Sequence, residues 1–238
     1  MTASAPPSQT LSRGVRILEV LADASSAMTI DDLATELQLH RSIVYRLLRT
    51  LEEHALVSRD PAGLVSLAPR LASLAAAVSR DLQAAALPEL TATANDLGMT
   101  CFLAVLDRDQ CVTLASVEPH HTVATMVQHP GASHPVWRGA PGKAILTELP
   151  VQQWPFPPTA DLVAEVDLFR ERGWATSHDE VIPTVRAIAV PLRVRGQRPA
   201  AIAVVHIGDR EDAPAIAARL QQGVAAVRDA LGDRGPTV

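Results

Sequence analysis

Residues 41–53, RSIVYRLLRTLEE, decide how the rest of the chain is read. At about 100° per residue, Val44, Leu47, Leu48 and Leu51 fall within one arc of a helix, roughly 100° wide. Arg41, Ser42, Tyr45, Arg46 and Arg49 fall on the other side, and no acid interrupts them before Glu52. The apolar stripe docks the helix on its neighbours. The outer face offers guanidinium forks, a hydroxyl and a phenol, groups that pair with phosphates and with base edges in a major groove. An ordinary solvated face has the same composition, so the flanking segments must decide between the two.

Upstream, Thr29-Ile30-Asp31-Asp32 offers a Thr N-cap with an acid three residues on, and Ile30, Leu33, Ala34 and Leu37 follow at helical spacing. Gln38-Leu39-His40 is a short turn into the Arg-rich helix. An earlier helix is predicted over about Thr10–Ala22, with Leu11, Val15, Leu18 and Leu21 on one face. Downstream, Leu56–Arg59 and Leu64–Leu67 are short strand candidates around the turn Asp60-Pro61-Ala62-Gly63. Helix, helix, turn, helix and β-hairpin is the order of a winged helix-turn-helix, whose third helix enters the major groove while the wing touches the backbone.

From Gln9 to Arg70 the segments TLSRGVRILEVLA, TIDDLATELQLHRSIVYRLLRTLEEHALVSRD and VSLAPRL resemble the DNA-binding domain of the IclR family of bacterial transcriptional regulators. The resemblance implies a homodimer or a dimer of dimers, a repressor or activator, whose third helix reads half-sites of a palindromic double-stranded DNA operator. On the matching positions Arg41, Ser42, Ile43, Tyr45 and Arg46 face DNA, joined by Arg49 on the same helix and Arg59 on the wing. His40 stands where the family often has Pro.

The charge balance at first speaks against nucleic acid. The chain carries 26 acids against 21 bases, a formal −5, whereas DNA-binding domains usually show a basic footprint. Counted by segment, residues 1–80 hold eight Arg and eight acids, so the whole excess of acid lies beyond them. A length of 238 residues admits one large domain or two small ones, and this asymmetry favours two. Aromatics are only 3%, so the core is aliphatic. No apolar run approaches the ~20 residues that span a bilayer. Met1–Thr10 lacks the basic start and apolar stretch of a signal peptide, and a cytoplasmic protein with no membrane partner is expected. Cys101 and Cys111 are the only cysteines, which excludes a disulfide framework and a four-thiolate zinc site.

Beyond Pro69, helices are predicted over Pro69–Val78 and Asp81–Leu97, the second interrupted at Pro88, as a connector and dimer contact or as packing within one domain. Alternation predicts strands near Thr100–Leu106, Cys111–Val117, Val123–Val127, Trp174–Thr176, Ile188–Leu192 and Ala200–Ile207, with a hairpin turn at Asp107-Arg108-Asp109. Helices are predicted over Gly139–Glu148, Asp161–Arg172 and about Asp212–Leu231, and QQWPFPP (152–158) reads as a loop. The pattern is α+β, an antiparallel sheet with helices before, within and after it.

Several residues invite an enzymatic reading and fail it. Trp137–Ala144 resembles the end of a phosphate-binding loop, but Trp137 replaces the first glycine and Ala144 the magnesium-holding hydroxyl. The Gly-rich turn remains a place for an anion at a helix start. His120, His121, His129 and His134 with Glu118 match no zinc spacing and lie among prolines, as loop histidines do. No Gly-x-Ser-x-Gly elbow occurs, and Cys101 sits in an apolar strand. A small hydrolase with a helical appendage would need a nucleophile and base that the sequence does not pair.

HPVWRGAPGKAILTEL and ERGWATSHDEVIPTVRAIAVPL resemble the two most recognisable C-terminal motifs of the same family, which extends the resemblance to about Leu231. It implies a GAF-like effector-binding domain in which a small organic, often aromatic, acid sits between the sheet and the helix start at Gly139-Ala140. The expected layout is a winged domain over 1–70, a linker helix over 71–82, and effector binding and oligomerisation over 83–238. The expected effector site comprises Met126, Trp137, Gly139, Ala140, Ser177, Val185, Ala187, Ala203 and Val205, with no cofactor and no metal. Where the family places an acid, a Cys and Ser or Asn, this chain has Ser177, Ala187, Ala203 and Val205, and Thr184 replaces a usual Gly. Those exchanges point to a more apolar ligand, to one held by Ser177, His178 or His206, or to a regulator that keeps the domain only for assembly.

Overall fold

The computed structural model describes residues 8–120, 128–208 and 212–233. The chain divides into two units, residues 1–78 and 79–238.

In the first unit, α1 (Gln9–Asp23), α2 (Ile30–Glu36) and α3 (Arg41–Glu53) precede the hairpin β1 (Val57–Arg59) and β2 (Val65–Leu67), with α4 (Arg70–Ala75) last. The predicted cap of α2 forms in full. The Thr29 hydroxyl accepts from the Asp32 N–H at 3.1 Å, and the Asp32 carboxylate accepts from the Thr29 N–H at 3.0 Å. In the turn between the strands, the Asp60 carboxylate accepts from the Leu64 N–H at 2.8 Å, and Gly63 supplies a φ of +86°. Val44, Leu47, Leu48 and Leu51 of α3 are buried as the periodicity requires, against Ile17, Leu21, Ile30, Leu33, Val57 and Val65.

The face that α1 buries differs from the expected stripe. Gly14, Ile17 and Leu21 point inward, whereas Leu11 is 68% exposed and Val15 45%. This helix carries two apolar rows that share Leu21, and the one holding Ile17 is the row packed into the core of the unit.

The second unit opens with α5 (Arg80–Leu97), which runs through Pro88 without the predicted interruption. Proline costs a helix about 3 kcal/mol. Burial of Leu82 and Leu90, one on each side of Pro88, returns roughly 1.5–3 kcal/mol each, which is enough to keep the helix continuous. Six strands form one antiparallel sheet: β3 (Thr100–Asp107), β4 (Gln110–Val117), β5 (Ser133–Pro135), β6 (Ala175–His178), β7 (Val185–Leu192) and β8 (Ala200–Ile207), in the spatial order β5-β4-β3-β8-β7-β6. The strand expected at 123–127 lies outside the described residues. Strand β5 falls where the histidine and prolines pointed to a loop, with His134 opposite Cys111. Pro135 is tolerated there because β5 is an edge strand.

Period-two alternation divides the sheet's side chains between two cores. Cys101, Leu103, Val105, Ile188, Val190, Ile202 and Val204 pack with α5 and with α8 (Ala213–Ala230). On the other face, Phe102, Ala104, Ala187, Ala189, Ala201, Ala203 and Val205 pack with α6 (Ala140–Thr147) and with Phe169 of α7 (Ala160–Arg172). That second face is lined mostly by alanine, so α6 lies close to the strands. Gly142 meets the turn after β5 instead, so near that a Cβ would stand 2.2 Å from the Val136 carbonyl oxygen.

Candidate DNA-reading face and effector pocket

Helix α3 begins at His40, whose Nδ1 accepts from the Ser42 N–H at 3.3 Å and so caps the helix in place of the usual proline. Ser42, Tyr45, Arg46 and Arg49 are exposed on one side, and Ile43 is half-buried against the core of the unit. The four arginines singled out by sequence are not equivalent. Arg41 donates to Asp31 of α2 at 2.6 Å, Arg49 lies 3.9 Å from Glu53, and Arg59 lies 3.0 Å from Glu52 while covering the Tyr45 ring at 5.8 Å. Arg46 alone of the four has no acid partner among the described residues. Arg41 stands only ~60° from Val44 on the helical wheel, at the edge of the apolar arc and not opposite it as expected, whereas Arg46 stands ~160° away.

In the second unit, Gly139, Ser177, Val185, Ala187 and Val205 come together around one cavity of about 40 Å³. Ala140 adjoins it through its N–H, which donates to Ser177 Oγ at 2.9 Å. Ala203 packs in the alanine-rich core and does not line the cavity. Trp137 turns away to meet Phe156, with ring centroids 4.7 Å apart. Met126 lies outside the described residues. Of the alternative holders, His206 is buried in β8 outside the cavity lining, and His178 stands 3.3 Å from Asp179 at the surface. A larger groove of about 480 Å³, flanked by Arg193, Arg195, Arg198 and Arg228, contains none of the expected effector residues.

Sequence reasoning missed the most polar part of the cavity. Lys143, the chain's single lysine, is buried on α6, and its Nζ donates to Glu165 Oε1 and Glu180 Oε1, both at 2.7 Å. The other Glu180 oxygen accepts from the Gly139 N–H at 2.9 Å and helps line the cavity. A lysine inside an otherwise apolar helix was the available signal, because a buried ammonium must be met by acids. His134 also lines the cavity, and burial holds its pKa below the ordinary histidine value. Its Nδ1 pairs with the Pro135 carbonyl at 3.0 Å, which fixes Nδ1 as the donor and leaves Nε2 an acceptor.

Among the described residues the enzymatic candidates find no site; His121 lies outside them. Burial pushes both Cys101 and Cys111 up to about 12, so neither is a thiolate near neutral pH. Among the described residues no three His, Cys, Asp or Glu side chains converge as a metal site, and no helix is long and apolar enough to cross a membrane.

Two family models match the chain: the IclR helix-turn-helix domain over residues 10–61, and the bacterial transcriptional regulator IclR C-terminal domain over residues 74–154. "Probable transcriptional regulator SauR" of Cupriavidus necator is 30% identical over 211 residues, covering 81% of this chain and 83% of that protein. Among solved structures, an IclR transcriptional regulator from Alicyclobacillus acidocaldarius is 26% identical with a TM-score of 0.80, covering 94% of this chain and 99% of that one. An IclR homolog from Microbacterium hydrocarbonoxydans, complexed with 4-hydroxybenzoate, shares the fold at 21% identity with a TM-score of 0.81, over 94% of this chain and 99% of that one. With a winged helix-turn-helix at one end and the sheet-and-helix domain at the other, the chain belongs to the IclR family of DNA-binding transcriptional regulators.

Proposed function

We propose that this regulator is ligand-responsive and binds a palindromic operator as a dimer or a dimer of dimers. Residues 1–70 read DNA, 71–82 link, and 83–238 bind a small organic effector and assemble the copies. The observation that carries the DNA half is the exposed face of α3, where Arg46 has no acid partner among the described residues and stands beside Ser42, Tyr45 and Arg49. Arg46 is the primary base-edge contact, and Arg49 and Arg59 contact the phosphate backbone once their exposed or half-exposed carboxylate partners are exchanged for phosphates. The first eighty residues have no net charge, so a single winged domain holds DNA weakly and affinity depends on engaging two half-sites together. An effector that changes their spacing then releases or tightens the complex.

Selection of duplexes from a random pool, followed by native mass spectrometry, tests this. The expected result is an inverted-repeat consensus with two or four chains per duplex. A single non-repeated site carrying one chain contradicts it.

The effector half is supported by the convergence of Gly139, Ser177, Val185, Ala187 and Val205 on one cavity, and by the small organic ligand in the solved relative's complex. A second reading, in which residues 83–238 only assemble copies, draws support from the cavity's size. About 40 Å³ holds a water or two, against ~150 Å³ for a cavity that takes benzene. A thermal-shift screen separates the two: a rise in Tm with any small ligand, abolished by Ala187→Trp, supports effector binding, and a flat screen supports assembly alone.

A further inference from the structure

The helix start that would receive an acidic effector is already occupied by the chain itself. The first backbone donors of α6 are the N–H groups of Gly139 and Ala140. The first is taken by Glu180 Oε2 and the second by Ser177 Oγ, both at 2.9 Å. The next residue, Pro141, has no N–H to offer. Glu180 is held from its other oxygen by Lys143, so an internal carboxylate sits where the helix dipole and the nearest cation both favour negative charge. Lys143 faces Glu165 as well, which leaves the three-residue cluster with one net negative charge.

Among the described residues around the cavity, Ser177 accepts from the Ala140 N–H and keeps its own O–H as a donor, while the other polar groups add mostly acceptors. Glu180 contributes a carboxylate. His134 is held neutral by burial, and its Nδ1–H is spent on Pro135, which leaves the Nε2 lone pair beside Gly139. Gln128 donates one amide N–H to Thr113 at 2.9 Å, which leaves its carbonyl oxygen and its second N–H. The rest of the wall, among the described residues, is apolar, with Phe102, Val181, Ile182, Val185, Ala187 and Val205.

We propose that this pocket selects a small apolar molecule whose polar end donates hydrogen bonds, an amine or an amide, and discriminates against carboxylates because Glu180 already holds the acid's place. This rests on the reading of the cavity as the effector pocket. A carboxylate entering here would displace Glu180 from Gly139 and Lys143 or stand against it as a like charge; an ammonium or amide N–H meets acceptors that are already in place.

Matched probes isolate the polar end, because ligands of one shape share the cost of opening the cavity. Isothermal titration of the full-length protein with benzylamine, benzamide and benzoate, and with isobutylamine, isobutyramide and isobutyrate, should show the amine or amide binding at least ten-fold more tightly than its acid. Glu180→Gln removes the internal charge and should shift that ratio toward the acid by ten-fold or more. Glu180→Ala removes the same charge without leaving an amide in its place, should shift the ratio the same way, and serves alone if Glu180→Gln does not fold. Tighter binding of the acids to the unmodified protein, or ratios unmoved in the variants, overturns the proposal while the pocket stands. Binding that survives Ala187→Trp, or no binding by any of the six probes, removes the pocket reading and the proposal with it.

Discussion

Two helices of this molecule begin where a ligand is expected, and they begin in opposite ways. Helix α3 starts in water with His40 as its cap and carries an exposed row of polar side chains. Helix α6 starts inside the second unit, with every residue buried and its first donors satisfied by Ser177 and Glu180. An exposed helix costs little to keep ready, because its arginines stay hydrated until phosphate replaces water. A buried helix start must be satisfied at all times, so a ligand there has to match what the chain has left over. The same principle of helix termini thus yields an open reading face in one unit and a self-filled pocket in the other.

Substitutions at the two sites test that contrast. The largest effect belongs to Lys143→Ala, which strands Glu165 and Glu180 without their cation. Breaking a fully buried pair costs about 3–5 kcal/mol; with Glu165 38% and Glu180 27% exposed, water meets part of the cost, so urea unfolding of the second unit should show a loss at the lower end, about 3 kcal/mol, and a change below ~1 kcal/mol would mean the cluster is not a fixed element of the fold. Next is Arg46→Ala, which leaves stability unchanged and weakens operator binding by ~1–3 kcal/mol in fluorescence anisotropy, the worth of a bidentate base contact. Smaller is Thr184→Gly. Thr184 is a β-branched residue at φ +67° at the end of the segment that carries Glu180, Val181 and Ile182. Relief of that backbone conformation should raise stability by about 1 kcal/mol in thermal or urea unfolding, and a loss of stability would show the side chain to matter more than the strain. Smallest is Arg41→Ala. Its pair with Asp31 is exposed on both sides, at 63% each, so unfolding should register less than about 1 kcal/mol.

How much of this was legible in the sequence follows from the range over which each feature is determined. The cap at Thr29, the stripe of Val44, Leu47, Leu48 and Leu51 and the hairpin turn at Asp60–Gly63 depend on residues within a turn or two of one another, and the structure has them as read. The α+β layout was legible because β3, β4, β7 and β8 carry β-branched or apolar runs between clear turns. The departures lie where distant partners decide. Gly14 and Ile17 outcompete Leu11 and Val15 only once α1 meets α3. Pro88 stays helical because the sheet covers α5 on both sides of it. Glu180 could not be tied to Lys143 by spacing, since 37 residues and a change of element separate them. The resemblance to the family placed the pocket at Gly139 and Ser177, but the pairing of Glu180 with Gly139 and Lys143 needed the folded chain.

The central claim is that the outward face of α3 reads bases, with Arg46 as its primary contact. Parallel selection of binding sequences from a random duplex pool, with the unmodified protein and with Arg46→Ala, tests it most directly. The variant should still select an inverted repeat but lose the preference at one guanine-bearing base pair, at the same position in each half-site. An unchanged consensus from Arg46→Ala would contradict it.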